Sequence, residues 1–170
     1  MNHHYGKMVE DVLSLCSGRL KKFGNYDFFK DIQVLTPTKK GESGTRFLNK
    51  ELQNVLNPKS ALKKEKEYGG VIFREGDKVM QIKNNYDLIW ESLDGKNYGS
   101  GIYNGDMGII SKVLDEGIEV VFDDEKHVVY ENASLEELEH AYAITVHKSQ
   151  GSEFPVVVMP IISRTANALY

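Results

Sequence analysis

Ala141-Tyr-Ala-Ile-Thr-Val-His-Lys-Ser-Gln-Gly-Ser-Glu-Phe-Pro-Val-Val-Val-Met159 is the stretch whose reading decides the fold. It sets a polar cluster, Thr145, His147, Lys148, Ser149, Gln150, Gly151, Ser152 and Glu153, between two apolar runs. A buried strand needs only the apolar runs. The cluster lies where the chain leaves one core element and enters the next, and from such a place a fixed scaffold aims polar groups at a ligand. A hydroxyl such as Thr145 donates to a phosphate oxygen without adding charge, and His147 can stack or donate. Gly151 lets backbone approach a ligand closely, and Glu153 can accept from a sugar hydroxyl. The same residues also describe a plain helix start, with Thr145 or Ser149 as cap and Glu153 favouring the positive end of the helix.

Working outward, Asp31 to Thr36 reads as a short buried strand closed by Pro37. Lys39 to Gly44 is a turn-rich loop, and Thr45 to Leu56 has the period of an amphipathic helix with Leu48, Leu52, Val55 and Leu56 on one face. Ser43 or Thr45 can cap its start, and Asn57-Pro58 ends it. Strand, glycine loop and helix make an α/β unit. A further helical period runs from Met8 to Leu20, and Cys16 falls on its apolar face with Val9, Val12, Leu13 and Leu20.

The texture changes after Pro58. Lys59 to Glu67 is a charged connector, and from Gly70 to Tyr130 short β-like runs alternate with turn signals such as Glu75-Gly-Asp77, Asn104-Gly-Asp106 and Asp115-Glu-Gly117. About five strands in a small antiparallel barrel are expected. Asp94 to Gly101 reads as an exposed loop, and Ala133 to Glu139 as an acidic connector with a helical turn capped by Ser134. The α/β texture returns at Ala141. Residues 1–66 and 133–170 are therefore expected to form two parts of one α/β domain, interrupted by a barrel over 67–132.

With 170 residues, 41% hydrophobic and 27% charged, the chain has the make-up of a soluble globular protein. No apolar run approaches the roughly 20 residues of a membrane span. Met1 to Gly6 lacks the apolar core of a secretory signal, and the one cysteine excludes an intrachain disulfide and fits a reducing cytoplasm. The net charge of −4 weighs against a dedicated nucleic-acid binder, which draws affinity from Lys and Arg. His127, His140 and His147 lack zinc spacing, and Asp123-Asp-Glu125 lacks the full calcium-loop pattern, so no metal site is expected. Tyr86 and Trp90 could stack on bases, but barrel core or an exposed loop is the favoured reading.

The stretch from Ala141 to Met159 resembles motif V of superfamily 1 helicases in its RecD-like form. Asp31 to Gln53 resembles that family's motif IV region, with its Leu48-Asn49 and Leu52-Gln53 pairs. Phe73 to Gln81 and Tyr103 to Ile109 resemble the barrel inserted between the two motifs, in the family's order. The resemblance implies an α/β fold: a partial RecA-like (P-loop NTPase type) second motor domain interrupted by a small antiparallel SH3-like β-barrel. It implies part of an ATP-driven DNA helicase or translocase. It would place Thr145, His147, Lys148, Ser149, Gln150, Thr36 and Lys39 along single-stranded DNA, and Gly151 and Glu153 at the nucleotide. The sequence contains no Gly-x-x-x-x-Gly-Lys-Ser/Thr, so ATP and Mg²⁺ are expected to be held mainly by an N-terminal motor domain of the parent, and the chain alone is not expected to hydrolyse ATP. Further expected partners are exodeoxyribonuclease V subunits, with a cytoplasmic location and no membrane. The alternative is a non-enzymatic SH3-like module for nucleic acid or protein, with binding centred on Tyr86 to Tyr103.

Overall fold

A computed structural model describes residues 3–20, 24, 26–37 and 44–160. In chain order the elements begin with α1 (His3–Ser14), a π-helical turn (Leu15–Arg19), β1 (Ile32–Thr36) and α2 (Thr45–Leu56). Then come β2 (Glu65–Tyr68), β3 (Val71–Arg74), β4 (Lys78–Gln81), β5 (Asn85–Ser92), β6 (Tyr98–Ile102), β7 (Met107–Val113), β8 (Gly117–Phe122) and β9 (Lys126–Glu131). A 3₁₀ turn (Asn132–Glu137), β10 (Leu138–His140), β11 (Ala143–Thr145) and β12 (Val156–Val158) complete the described chain. Two compact units result: residues 1–56 with 142–170, and residues 57–141.

The first unit is α/β. Its three strands run in the order β11-β1-β12, parallel throughout. All five residues of β1 are buried, which is the signature of a central strand covered on both faces. Ile32 and Val34 point to one face and pack with Val9, Val12 and Cys16 of the N-terminal helical segment and Leu48 and Leu52 of α2. Phe28 stands beside Tyr142 in this core, with ring centroids 5.9 Å apart. Helix α2 has the expected bounds but a rotated face. Val55 is exposed, while Asn49 and Gln53 are buried beside Leu48 and Leu52. Ser43 and the loop from Lys39 lie outside the described residues.

The second unit is all antiparallel, with strand order β10-β4-β7-β8-β9-β5-β6 and a separate hairpin β2-β3 turned by Gly69 and Gly70 at φ 58° and 79°. Phe73, Val79, Ile110, Ile118, Val120, Phe122, Val128 and Tyr130 fill its core. The larger sheet ends at β10 on one side and β6 on the other, so no sheet closes into a barrel. It also has more strands than the expected five. The charged connector contributes β2. The expected loop at Asp94 to Gly101 contributes most of β6, where a Cβ at Gly99 would meet the Trp90 indole and one at Gly101 the Tyr103 ring. Aromatic cover replaces the side chains that these glycines lack.

The ends of the second unit fall at Asn57 and Ala141 rather than at 67 and 132. Hydrogen bonding accounts for the wider span. Asp77 is fully buried and accepts from Asn57 Nδ2 at 2.7 Å and from the Arg74 backbone N–H at 2.8 Å. His140 Nε2 lies 2.8 Å from Oδ2, the oxygen that also accepts from Arg74. One carboxylate thus holds both the first and the penultimate residue of the unit. The expected acidic connector is folded in as well. The 3₁₀ turn begins after Glu131 without a side-chain cap, so Ser134 does not cap it, and β10 pairs with β4.

Candidate nucleic-acid interface

The parallel sheet places Thr36 and Thr145 opposite each other as the last residues of β1 and β11. Paired residues on neighbouring strands point to the same face. Both therefore stand at the carboxyl edge of the sheet, where open α/β sheets bind ligands. Thr36 is fully buried and Thr145 is 8% exposed. The Thr36 carbonyl accepts from the Val146 N–H at 3.0 Å, which starts the following loop directly above the sheet edge.

That loop is a run of tight turns rather than a helix. Thr145 Oγ1 accepts from the Lys148 N–H at 3.2 Å, so the threonine does cap, but it caps a turn. Ser149 donates its hydroxyl to the Val146 carbonyl at 2.6 Å, and its own N–H reaches the Thr145 carbonyl at 3.2 Å. Gly151 has φ 84° with open space where a Cβ would stand, so glycine is needed there for backbone conformation and not for clearance. Val146, His147 and Gln150 are exposed on this crest, Lys148 and Ser149 are half-buried, and Gly151, Ser152 and Glu153 that follow it are exposed.

After the crest the chain turns back. Val156 pairs with Ile32, the first residue of β1, so residues 146–155 return to the amino ends of the strands. Four residue-to-residue steps of strand separate Ile32 from Thr36, about 13 Å. Thr145 and the turn at 146–150 thus belong to the carboxyl edge. Gly151 and Glu153 lie on the returning limb. Lys39 falls outside the described residues.

Sequence reasoning assigned no role to Asn49, although it braces the site. Its Nδ2 donates to the Ala143 carbonyl at 3.0 Å, and its Oδ1 accepts from the Ala143 N–H at 2.7 Å. Among the described residues strand β11 is an edge strand, and this amide pairs with it as a further strand would. Gln33 adds a donated bond to the Tyr142 carbonyl at 3.3 Å. The readable signal was polar residues beside Leu48 and Leu52 on an otherwise apolar helix face.

Charge divides between the units. Residues 57–141 carry ten Lys and Arg against eighteen Asp and Glu, while the remaining residues carry eleven against seven. The overall −4 is therefore an acidic second unit outweighing a basic first one. Among the described residues no group of His, Cys, Asp and Glu could hold a metal ion, and no helix is long and apolar enough to cross a membrane.

Residues 48–129 match the family described as the ATP-dependent RecD-like DNA helicase SH3 domain, and residues 140–170 match the UvrD-like helicase C-terminal domain. The ATP-dependent RecD2 DNA helicase of Deinococcus radiodurans is 36% identical over 146 residues, covering 78% of this chain and 17% of the relative. The RecBCD enzyme subunit RecD of Buchnera aphidicola subsp. Schizaphis graminum is 30% identical over 129 residues, covering 74% of this chain and 19% of that protein. This chain thus spans less than a fifth of either relative. Among solved structures, Bacteroides Pif1 bound to ssDNA aligns with a TM-score of 0.47 at 19% identity, over 90% of this chain and 42% of that one.

Proposed function

The chain belongs to the RecD-like DNA helicases, to whose C-terminal region it is homologous, and from that premise we propose that the crest at residues 145–150 grips single-stranded DNA in an ATP-driven parent protein. In this reading residues 1–56 and 142–170 are a RecA-like second motor domain. Residues 57–141 are its SH3-like insertion, with an open sheet. The observation that carries the reading is the pairing of Thr36 with Thr145 beneath an exposed polar turn in the basic unit.

The roles follow from position. His147 and Gln150 are exposed and meet the strand first, one by stacking and one by hydrogen bonding. Lys148 supplies the charge, held near the surface by the bond from its own N–H to Thr145. Thr145 and Ser149 fix the turn, and the Thr145 O–H remains a donor to phosphate. Thr36 is buried, so it acts through its carbonyl on Val146 and not by contact. A grip made mainly of neutral donors releases easily, as a translocating motor requires.

Gly151 and Glu153 fit a nucleotide's sugar, because the backbone at Gly151 is open and the Glu153 carboxylate is exposed to accept from hydroxyls. Among the described residues no group of three or more His, Cys, Asp and Glu could hold a metal ion. ATP, which drives the chemistry in the parent, would have its phosphates and metal held by an N-terminal motor domain. The chain alone is expected to show no ATPase activity.

Anisotropy of a labelled oligothymidylate tests the grip. His147→Ala and Lys148→Ala should each weaken binding by about tenfold. Tyr98→Ala, in the acidic unit, should leave it unchanged. The opposite pattern would favour the alternative, a binding module centred on the β5-β6 hairpin, which the exposed Tyr86, Tyr98 and Tyr103 recommend.

A further inference from the structure

The second unit exposes one edge that its own fold does not explain. Strand β6 pairs with β5 and with no other strand among the described residues. Edge strands are usually blunted by charge, proline or cover. Here the outward face of the hairpin carries Ile89 at 70% exposure and Tyr98 at 81%, opposite Ser100 and Glu91 respectively. Val129, also exposed, extends the apolar face on β9, which adjoins β5. At the far end Tyr86 and Tyr103 stack edge to face at 5.6 Å.

The strand itself is Tyr98-Gly-Ser-Gly-Ile102, with both glycines covered by rings on β5 or its own end. Glycine in a strand interior costs stability, and a close backbone approach is one of the reasons for which it is kept. The charge around the hairpin is acidic. Asp87, Glu91 and Asp94 lie on it, and the Leu93 N–H bonded to the Glu125 carbonyl at 3.1 Å brings in the Asp123-Asp-Glu125 turn. Lys96 and Lys126 are the cations there, and Lys126 lies over the Trp90 ring at 4.8 Å. Such a surface repels phosphate.

We propose that the β6 edge is a docking site for an extended, basic segment of a partner polypeptide. The segment adds as a further antiparallel or parallel strand beside β6. Its apolar residues lie against Ile89 and Tyr98, and its cations face Glu91, Asp87 and the acidic turns. Main-chain bonds supply affinity and alternate side chains supply selectivity. The site shares no residue with the crest at residues 145–150, so it survives if the DNA reading fails.

The test uses the whole chain and a synthetic alternating Lys-Val peptide. Trp90 is the chain's one tryptophan and lies against Gly99, so its fluorescence reports the edge. Saturable binding is expected, with amide-exchange protection at Tyr98 to Ile102. Tyr98→Ala and Glu91→Lys, both at exposed positions, should each weaken it by about fivefold to tenfold. Equal binding by an alternating Glu-Val peptide, or by a lysine peptide of equal charge with proline at every second position, overturns the proposal. So does protection of β6 by an oligothymidylate, or concentration-dependent protection without peptide, which would make the occupant DNA or a second copy of the chain. No binding of the Lys-Val peptide overturns it as well.

Discussion

The two sheets of this chain solve opposite problems. The parallel sheet of three strands joins Thr36 to Thr145, residues separated by the whole of the second unit. The antiparallel sheet is built largely from neighbours in sequence, β5 with β6, β7 with β8, β8 with β9. Local hairpins form without long loop closure, whereas the parallel sheet must close over residues 57–141. Asp77 bears on that difference, because it gathers Asn57 and His140 at the two ends of the intervening segment. A folded insertion with adjacent ends makes the distant pairing affordable. Charge follows the same division, with the basic surplus on the parallel unit that offers a polar crest and the acidic surplus on the antiparallel one.

The comparison is broken most directly at Asp77. Asp77→Ala leaves Asn57, the Arg74 N–H and His140 without their shared acceptor, and should destabilise the second unit by about 3–5 kcal/mol. Urea unfolding followed at Trp90 measures it. A loss under about 1 kcal/mol would remove Asp77 from the account of how the ends are held. Asn49→Ala comes next. It takes two bonds from the edge strand β11 and should cost about 2 kcal/mol, seen as faster amide exchange at Ala143. The Trp90 transition should not move, and an equal shift there would show that the two units unfold together.

Tyr130 sharpens the contrast from the antiparallel side. Burial first, then the charges of Glu137 and Asp106, hold its hydroxyl well above the ordinary phenol value. A raised value in the folded state means stability is fully present below about pH 10 and is lost as pH rises beyond it. Tyr130→Phe should flatten that alkaline loss and cost about 1 kcal/mol at neutral pH for the 2.7 Å bond to Gln81. Denaturant midpoints across alkaline pH check both. The smallest effect is electrostatic. Lys148→Ala should reduce the salt slope of oligothymidylate binding by about 0.7, and Lys96→Ala should not.

Much of the candidate site was legible early, and the reason is local chemistry. Polar residues crowded between apolar runs mark the end of a buried strand. The helix at Thr45 to Leu56 followed from its period. What escaped were features that depend on partners. Asn49 reads as an ordinary polar residue until β11 is beside it. Tyr98 to Gly101 reads as loop, because its glycines have low strand preference until Trp90 and Tyr103 cover them. His140 reads only as a histidine without zinc spacing until Asp77 receives it.

The sequence by itself determined the α/β texture at both ends, the β-rich interruption and the polar stretch that follows a buried strand, because periodicity and turn residues act over a few positions. The tertiary structure alone decided the strand order β11-β1-β12, the pairing of Thr36 with Thr145, and the open edge at β6. Those depend on which surfaces meet across long separations, where burial and hydrogen-bond satisfaction select one arrangement among many that the local pattern permits.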